Sequence, residues 1–317
     1  MSVRALALAA LSSVALSSTV SAEPWTYTDG SGQTVTLDAI PQRIIASQDA
    51  AAGLIPLGIR PVGIYADGPI AEAKALQGLD LSGIEIIGQV WGEVDIEKAA
   101  ALDPDLVLAE WWDRNTVWSG GHNVVDLLSQ LAPVTGISAG DSILVMIEDY
   151  EKLAASLGAD LTQPAIAEQK AGFETALNDF KAAVAAKPGL KVLAVYAGDD
   201  ALYVGDPAGA AELLDMQSWG LDIVEPEGVD AAGNNYFENV SWENADKYPA
   251  DLVLVDNRSP ATLKTALAQP TWTLIPGAKA GQVAEWPAFW LRNYTHYAAA
   301  LTDLTAAISA ANADLTP

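Results

Sequence analysis

The sequence predicts an α/β protein of two Rossmann-like lobes joined by one long α-helix, with a ligand cleft between the lobes. Three observations carry this expectation: a phrase written twice, short apolar runs that read as buried strands, and one long helical stretch midway along the chain. VDIEKAAALDPDLVL occupies positions 94–108, and VSWENADKYPADLVL follows at 240–254, an offset of 146 residues. Val, Glu, Ala and the closing Asp-Leu-Val-Leu fall at the same seven places in both. Two copies are too few for a solenoid, which stacks three or more repeats, and they fit two similar lobes in one chain.

Each copy has the same local form. A polar cap (Asp95 or Ser241) precedes a short helix, and Asp105-Leu-Val-Leu or Asp251-Leu-Val-Leu then reads as a fully buried strand. In the first half RIIAS (43–47), PVGIY (61–65), IEIIG (84–88) and DLVLA (105–109) are strand-like. LKVLAVY (190–196), ALYVG (201–205) and DLVLVD (251–256) repeat the pattern in the second half. Uninterrupted apolar strands separated by helices imply parallel sheets covered on both faces. Between the halves, Pro164 and Pro188-Gly189 bound a helix of roughly 23 residues, about 35 Å long at 1.5 Å per residue. The expected organisation is an export signal at 1–22, an N-terminal lobe at 23–160, a connecting helix at 161–188 and a C-terminal lobe at 189–317.

The first 22 residues hold one charge, Arg4, then an apolar and small-residue run, with Val20 and Ala22 suited to cleavage before Glu23. This reads as a secretory signal peptide and directs the protein to the periplasm. The 317-residue chain contains no cysteine, so it offers no thiol for a lipid anchor. A mature chain of this size buries enough core to dispense with disulfides. Its net charge of −25 becomes −26 once Arg4 is removed, a surface that repels nucleic acid and anionic lipid and favours a soluble monomer.

Ligands of open α/β sheets bind beyond the carboxyl ends of the strands. That rule places Trp111, Trp112, Arg114 and Arg258 toward the cleft, while Tyr196 ends the first strand run of the second half and Tyr203 follows shortly on ALYVG. Trp111 and Trp112 are sequence neighbours and cannot both enter one sheet face. Trp25, Trp219, Trp242 and Trp272 are assigned to structure or surface. Rings together with guanidiniums suit a large, partly planar, anionic or oxygen-rich ligand, the rings covering apolar linkers and Arg offering forked donors to carboxylate, catecholate or hydroxamate oxygens. With His122 and His296 as the only histidines, a binder of bare transition metal is disfavoured. His122 reads as a helix-start residue, whereas His296 fits a cleft or a helix cap equally.

The repeated V-[DS]-[IW]-E-x-A-x5-D-L-V-L phrase, the long central helix and the export signal resemble the helical-backbone (class III) periplasmic substrate-binding proteins of ABC importers. The resemblance covers essentially the whole mature chain. It implies a protein that captures a ferric siderophore and delivers it to a permease dimer in the inner membrane, with haem or a corrinoid as alternative cargo. It also implies that Glu97 and Glu243, one in each copy, sit on the outer tips of the lobes and dock onto permease arginines. Trp91 and Phe237, six residues before those glutamates, would lie at the mouth of the cleft. The segment EWPAFWLRNYTHY (285–297) resembles the ligand-facing loop before the final helix, adding Phe289, Trp290 and Arg292. Iron would arrive already chelated, so no resident cofactor and no protein metal ligands are expected. For haem, Tyr196, Tyr203, Tyr294 or His296 could reach the iron.

The rival class is a secreted carbohydrate-active hydrolase, supported by Glu110 beside Trp111 and by Glu285 beside Trp286. Among 41 acidic residues such adjacency is common. No G-x-S-x-G elbow, HExxH or phosphate-loop spacing accompanies it. A non-enzymatic binding protein is therefore expected.

Overall fold

The computed structural model describes residues 23–30, 32–113, 116–117, 120–140, 142–229 and 236–316. The predicted export segment 1–22 lies outside them. An antiparallel hairpin opens the described chain, β1 (Trp25–Thr28) with β2 (Thr34–Leu37), which the strand pattern did not anticipate. Trp25 ties it down by burying its ring and donating from Nε1 to Ser156 Oγ at 3.2 Å.

The N-terminal lobe is built on β3 (Ile44–Ser47), β4 (Gly63–Tyr65), β5 (Glu85–Gly88), β6 (Leu106–Asp113), β7 (Thr116–Val117) and β8 (Val134–Ser138). Its parallel order is β5-β4-β3-β6-β8, and β7 folds back antiparallel on the far end of β6. Helices α1 (Gln48–Leu54), α2 (Ile96–Ala101), α3 (His122–Leu128) and α4 (Ile143–Ser156) belong to this lobe. The chain then enters α5 (Pro164–Ala185), 22 residues with proline in the first turn, where its missing N–H costs nothing.

The C-terminal lobe carries β9 (Lys191–Ala197), β10 (Leu202–Gly205), α6 (Ala211–Ser218), β11 (Asp222–Ile223), β12 (Phe237–Val240), β13 (Leu252–Asp256), α7 (Pro260–Ala268), α8 (Pro276–Lys279), β14 (Val283–Trp286) and α9 (Tyr294–Ala310). Here the all-parallel expectation needs correction. β11, β9, β13 and β14 pair in parallel, but β10 and β12 run antiparallel. The cause is the short turn after β9, closed by Gly198 N–H donating to Ala201 O at 3.0 Å. A connection that short allows a hairpin and excludes the crossover that a parallel neighbour needs.

The repeated phrase has a structural role at its last aspartate. Asp105 precedes β6, and its carboxylate accepts from the backbone N–H of Gln42 (2.7 Å) and Arg43 (2.9 Å) at the start of β3. Asp251 precedes β13 and accepts from Lys191 N–H at the start of β9 (2.9 Å), and also from Leu315 and Thr316 N–H. In both lobes the aspartate therefore fixes the register between the first central strand and the repeated one. The caps also match: Asp95 accepts from Lys98 N–H and Ser241 from Glu243 N–H, although the second copy forms only a 3-10 turn (Trp242–Asn244).

One apolar core runs through both lobes. Helix α5 contributes Ile166, Phe173, Ala176, Phe180 and Ala183, a stripe along one face. Tyr297 of α9 packs against it, 5.2 Å from the Phe173 ring. The lobes are thus joined by shared core as well as by a connecting helix.

Because Asp251 is fully buried and holds three backbone donors, Asp251→Ala should destabilise the protein by roughly 2–4 kcal/mol, against roughly 1–2 for the more exposed Asp105→Ala. Urea denaturation of both variants measures this, and an equal or reversed order would show that the aspartates do not act through these bonds.

Candidate ligand site

The parallel strands of each lobe end toward the other lobe, and a cavity of about 300 Å³ opens between them. The N-terminal wall is built by residues just past β3 and β4, namely Gln48, Asp49 and Asp67, and by Lys74. The C-terminal wall is built by Arg258, just past β13, and by Phe289 and Trp290 from the loop before α9. A second space of about 440 Å³ adjoins it beyond Glu72 and Lys74, lined by Asn257, Leu263 and Glu285.

The aromatic rings form a continuous surface on the C-terminal lobe that meets the cavity at Phe289, while Tyr196, Tyr203 and Phe237 lie outside the lining of both spaces. Tyr196 and Tyr203 face each other across the β9–β10 register, their centroids 5.6 Å apart. Phe237 on β12 touches both at 6.3 Å and leads to Phe289 at 6.1 Å. The Arg258 guanidinium lies over the Phe289 ring, 4.8 Å from its centroid. Its Nε and Nη2 donate to the buried Asp256 carboxylate, which aims the side chain and balances its charge. Trp290 donates from Nε1 to Asn257 Oδ1 at 2.7 Å, and Asn257 in turn donates to Glu285.

Phe289 owes its position to a buried carboxyl that sequence reasoning did not single out. Its backbone lies in the left-handed region at φ 63°, which an L-residue adopts at a cost. Glu212 of α6 accepts from Phe289 N–H and from Trp286 Nε1, each at 3.0 Å, and so holds the turn. Burial pushes the Glu212 carboxyl up to about 7, against the opposing pull of these hydrogen bonds and of Arg292. Burial also pushes Asp67 up to about 6 and moves Asp49 well above the usual carboxylate range.

The remaining predicted residues divide. Trp91 is exposed on the N-terminal lobe, its indole against Gly121, and it is not part of the cavity wall. Trp111 does not face the cleft. It is 5% exposed and packs with Val125 and Val134 on the outer face of β6, because alternation sends Leu106, Leu108 and Glu110 to the inner face. Arg292 is also a correction: its guanidinium is fully buried and engaged by Glu110 of the other lobe through Nε and through Nη2 (2.6 Å). Tyr150 donates to the same carboxylate at 3.1 Å. Glu110 is thereby taken up as an ion-pair partner, away from the hydrolytic role the sequence left open. The Trp112 side chain and Arg114 lie outside the described residues.

Both histidines resolve. His122 is exposed at the first position of α3. His296 spans the lobes, with Nδ1 3.0 Å from Asn293 Nδ2 and Nε2 2.9 Å from Gln77 O. Neither of its ring nitrogens remains for a metal. Tyr294 is buried against Phe173 and does not reach the cleft. Among the described residues, no group of three or more His, Cys, Asp or Glu could hold a metal ion. Glu97 and Glu243 are both exposed, each the second residue of its helical turn. The N-terminal wall residues Asp49 and Asp67 were missed, although the strand-end rule applied to 111–114 and 258 reaches them too.

Because the folded-state pKa of Glu212 lies above its unfolded value, the folded protein holds that proton more tightly. Its contribution to stability is full below about pH 4.5 and is lost as pH rises toward 7. Relative to Glu212→Gln, the wild-type protein should therefore lose roughly 1–3 kcal/mol between pH 5 and pH 8. Urea melts of the pair at both pH values test this, and a pH-independent difference would rule out a perturbed Glu212.

The sequence profile of the periplasmic binding protein family matches residues 88–288. A search of curated proteins finds no significant match. Among solved structures, a ferric-siderophore receptor protein from Streptomyces coelicolor, DesE, is 32% identical, with 93% of this chain and 100% of that chain covered at a TM-score of 0.83. The Fe3+-Desferal-bound siderophore-binding protein FhuD from Vibrio cholerae is similar at 18% identity, with 87% and 99% of the chains covered and a TM-score of 0.63. Staphylococcus aureus SirA, complexed with staphyloferrin B, is similar at 19% identity, 91% and 99% coverage and a TM-score of 0.61. The profile match and the full-length similarity agree with the two-lobed architecture, and the chain belongs to the periplasmic binding protein family.

Proposed function

We propose that the protein captures a ferric siderophore between its lobes and delivers it to an ABC permease. The observation that carries this reading is the wall of rings from Tyr196 to Phe289, ending in the Arg258 guanidinium at an inter-lobe cavity. Ferric complexes of chelating oxygens combine apolar linkers with an oxygen-rich surface. Rings cover the former, and the Arg258 N–H groups not held by Asp256 donate to the latter. Full-length similarity to a ferric-siderophore receptor protein supports the same cargo. The iron enters as part of its chelate and takes no ligand from the protein. The mature protein, freed of residues 1–22, acts as a monomer in the periplasm and catalyses no reaction. Glu97 and Glu243 are the docking carboxylates, presented at equivalent places on the two lobes.

Tryptophan-fluorescence titration with ferric siderophores, haemin and cobalamin tests the cargo. Saturable quenching by a ferric siderophore, weaker for its iron-free form, is expected, and preferential binding of haemin or cobalamin would replace the siderophore with that ligand. Phe237→Ala or Tyr196→Ala should weaken binding by about tenfold or more, as truncation of a buried aromatic contact costs roughly 1–3 kcal/mol.

The double variant Glu97→Ala/Glu243→Ala should keep its ligand affinity and lose uptake in a cell that depends on this transporter. Normal uptake by the double variant would remove the docking role.

A further inference from the structure

His296 is half-buried where the lobes meet, and its hydrogen bonds admit one protonation state. Asn293 caps α9, its Oδ1 accepting from the His296 N–H at 2.9 Å. Its Nδ2 donates across the lobes to Ala52 O of α1 at 3.1 Å. Those two bonds fix the orientation of the amide, so the second Nδ2 hydrogen is directed at His296 Nδ1, 3.0 Å away. Nδ1 must therefore accept. Nε2, 2.9 Å from Gln77 O at the end of the Lys74–Leu76 turn, must donate. The neutral ring protonated at Nε2 meets both demands. An imidazolium meets only the second, because it sets N–H against N–H at Nδ1. Turning the Asn293 amide over would relieve that contact, at the loss of the α9 cap and of the bond to Ala52.

No charged partner offsets this. The elements around His296 carry Asp49 on α1, Glu72 and Lys74 at the neighbouring turns, and Arg292 paired with Glu110. Among the described residues His296 belongs to no ion pair. Burial pushes its ring below the ordinary value of 6.5, against the opposing pull of Gln77 O. Trp290 stands 5.7 Å away at 68°, and its ring attracts a cation without replacing either hydrogen bond. The contact also adjoins the cavity. Trp290 lines one wall, and Asp49 and Lys74, carried by the two N-terminal segments that Asn293 and His296 hold, line the other.

We propose that His296 is a proton-sensitive latch, which when neutral holds α1 and the Lys74–Leu76 turn to the start of α9, and when protonated loosens this inter-lobe contact beside the cavity. The ring links the Ala52 contact to the Gln77 contact through Asn293, so losing the Nδ1 bond separates the two. The device operates whatever the cavity binds. Since the folded protein holds this proton more weakly than the unfolded chain, the neutral ring's contribution to stability is full above about pH 6.5. It is lost as the pH falls through the lower folded-state value.

The chain has two histidines, so His122→Gln leaves the ring proton resonances of His296 alone in the NMR spectrum of the mature protein. Their titration midpoint should lie below 6.5. Across that midpoint the hydrogen-exchange protection of the His296 amide should fall by about fivefold, the scale of one lost hydrogen bond, as Asn293 gives up the cap. In urea melts, wild type should lose its advantage over His296→Gln as the pH falls, whereas His122→Gln should follow wild type. If His296→Gln does not fold, the midpoint and the amide protection still decide the matter. A midpoint at or above 6.5, protection unchanged across it, or a pH-independent difference from His296→Gln overturns the proposal. None of these measurements involves a ligand, so their failure leaves the siderophore reading intact.

Discussion

The buried ion pair between Glu110 and Arg292 fixes one lobe against the other. The two residues are 182 positions apart and both are inaccessible, with Tyr150 OH donating to the carboxylate and Leu291 O accepting from Arg292. Removing two such ions from water costs several kcal/mol each, so the pair contributes less to net stability than to geometry. Burial opposes the Arg292 charge, but Glu110 and Asp49 outweigh it and keep the guanidinium protonated. Misaligned lobes would leave both charges buried without partners, and the chain therefore has one favourable relative placement. The two following contacts extend the lock: Asn293 donates to Ala52 O of α1, and His296 meets Gln77 O.

The ligand wall is set by the same segment. Phe289 stands three residues before Arg292, and its left-handed backbone costs about 1–3 kcal/mol. Such a conformation persists where neighbours over-determine it. Glu212 does so on one side through two hydrogen bonds, and Arg292 does so on the other by anchoring the chain into the inter-lobe core. The carboxyl that holds the wall lies on α6, away from the cavity itself. Its buried state thus couples the shape of the ring surface to a titrating group that does not line the cavity.

Much of the fold was legible in the sequence because it rests on local signals. The apolar runs at 43–47, 61–65, 84–88, 105–109, 190–196, 201–205 and 251–256 all carry strands, and Pro164 opens the central helix. The hairpin β1–β2 escaped because Thr-rich alternation over four residues is a weak signal beside long apolar runs. The site was less legible for a different reason. An arginine in a cleft-facing loop and an arginine paired across the lobes have the same local sequence, and only the fold brings Glu110 to Arg292. Trp111 illustrates a subtler loss: the strand-end rule selected its position, but alternation along β6, continued two residues beyond Ala109, sends it outward.

A frame locked at Glu110–Arg292 and joined by shared core along α5 and α9 has little freedom to close around a ligand as hinged binding proteins do. Discrimination must then reside in what the cleft already presents, namely its ring wall and the aimed donors of Arg258. The same rigidity constrains delivery. On the docking role proposed above, a permease bound to Glu97 and Glu243 would gain no information about occupancy from their spacing if that spacing is fixed. It would have to sense the cargo at the mouth of the cleft, or bind loaded and empty protein alike and release the ligand by forcing the lobes apart. Forcing them apart would break the buried ion pair. On the delivery reading proposed above, releasing the ligand by separating the lobes would cost the loss of this pair.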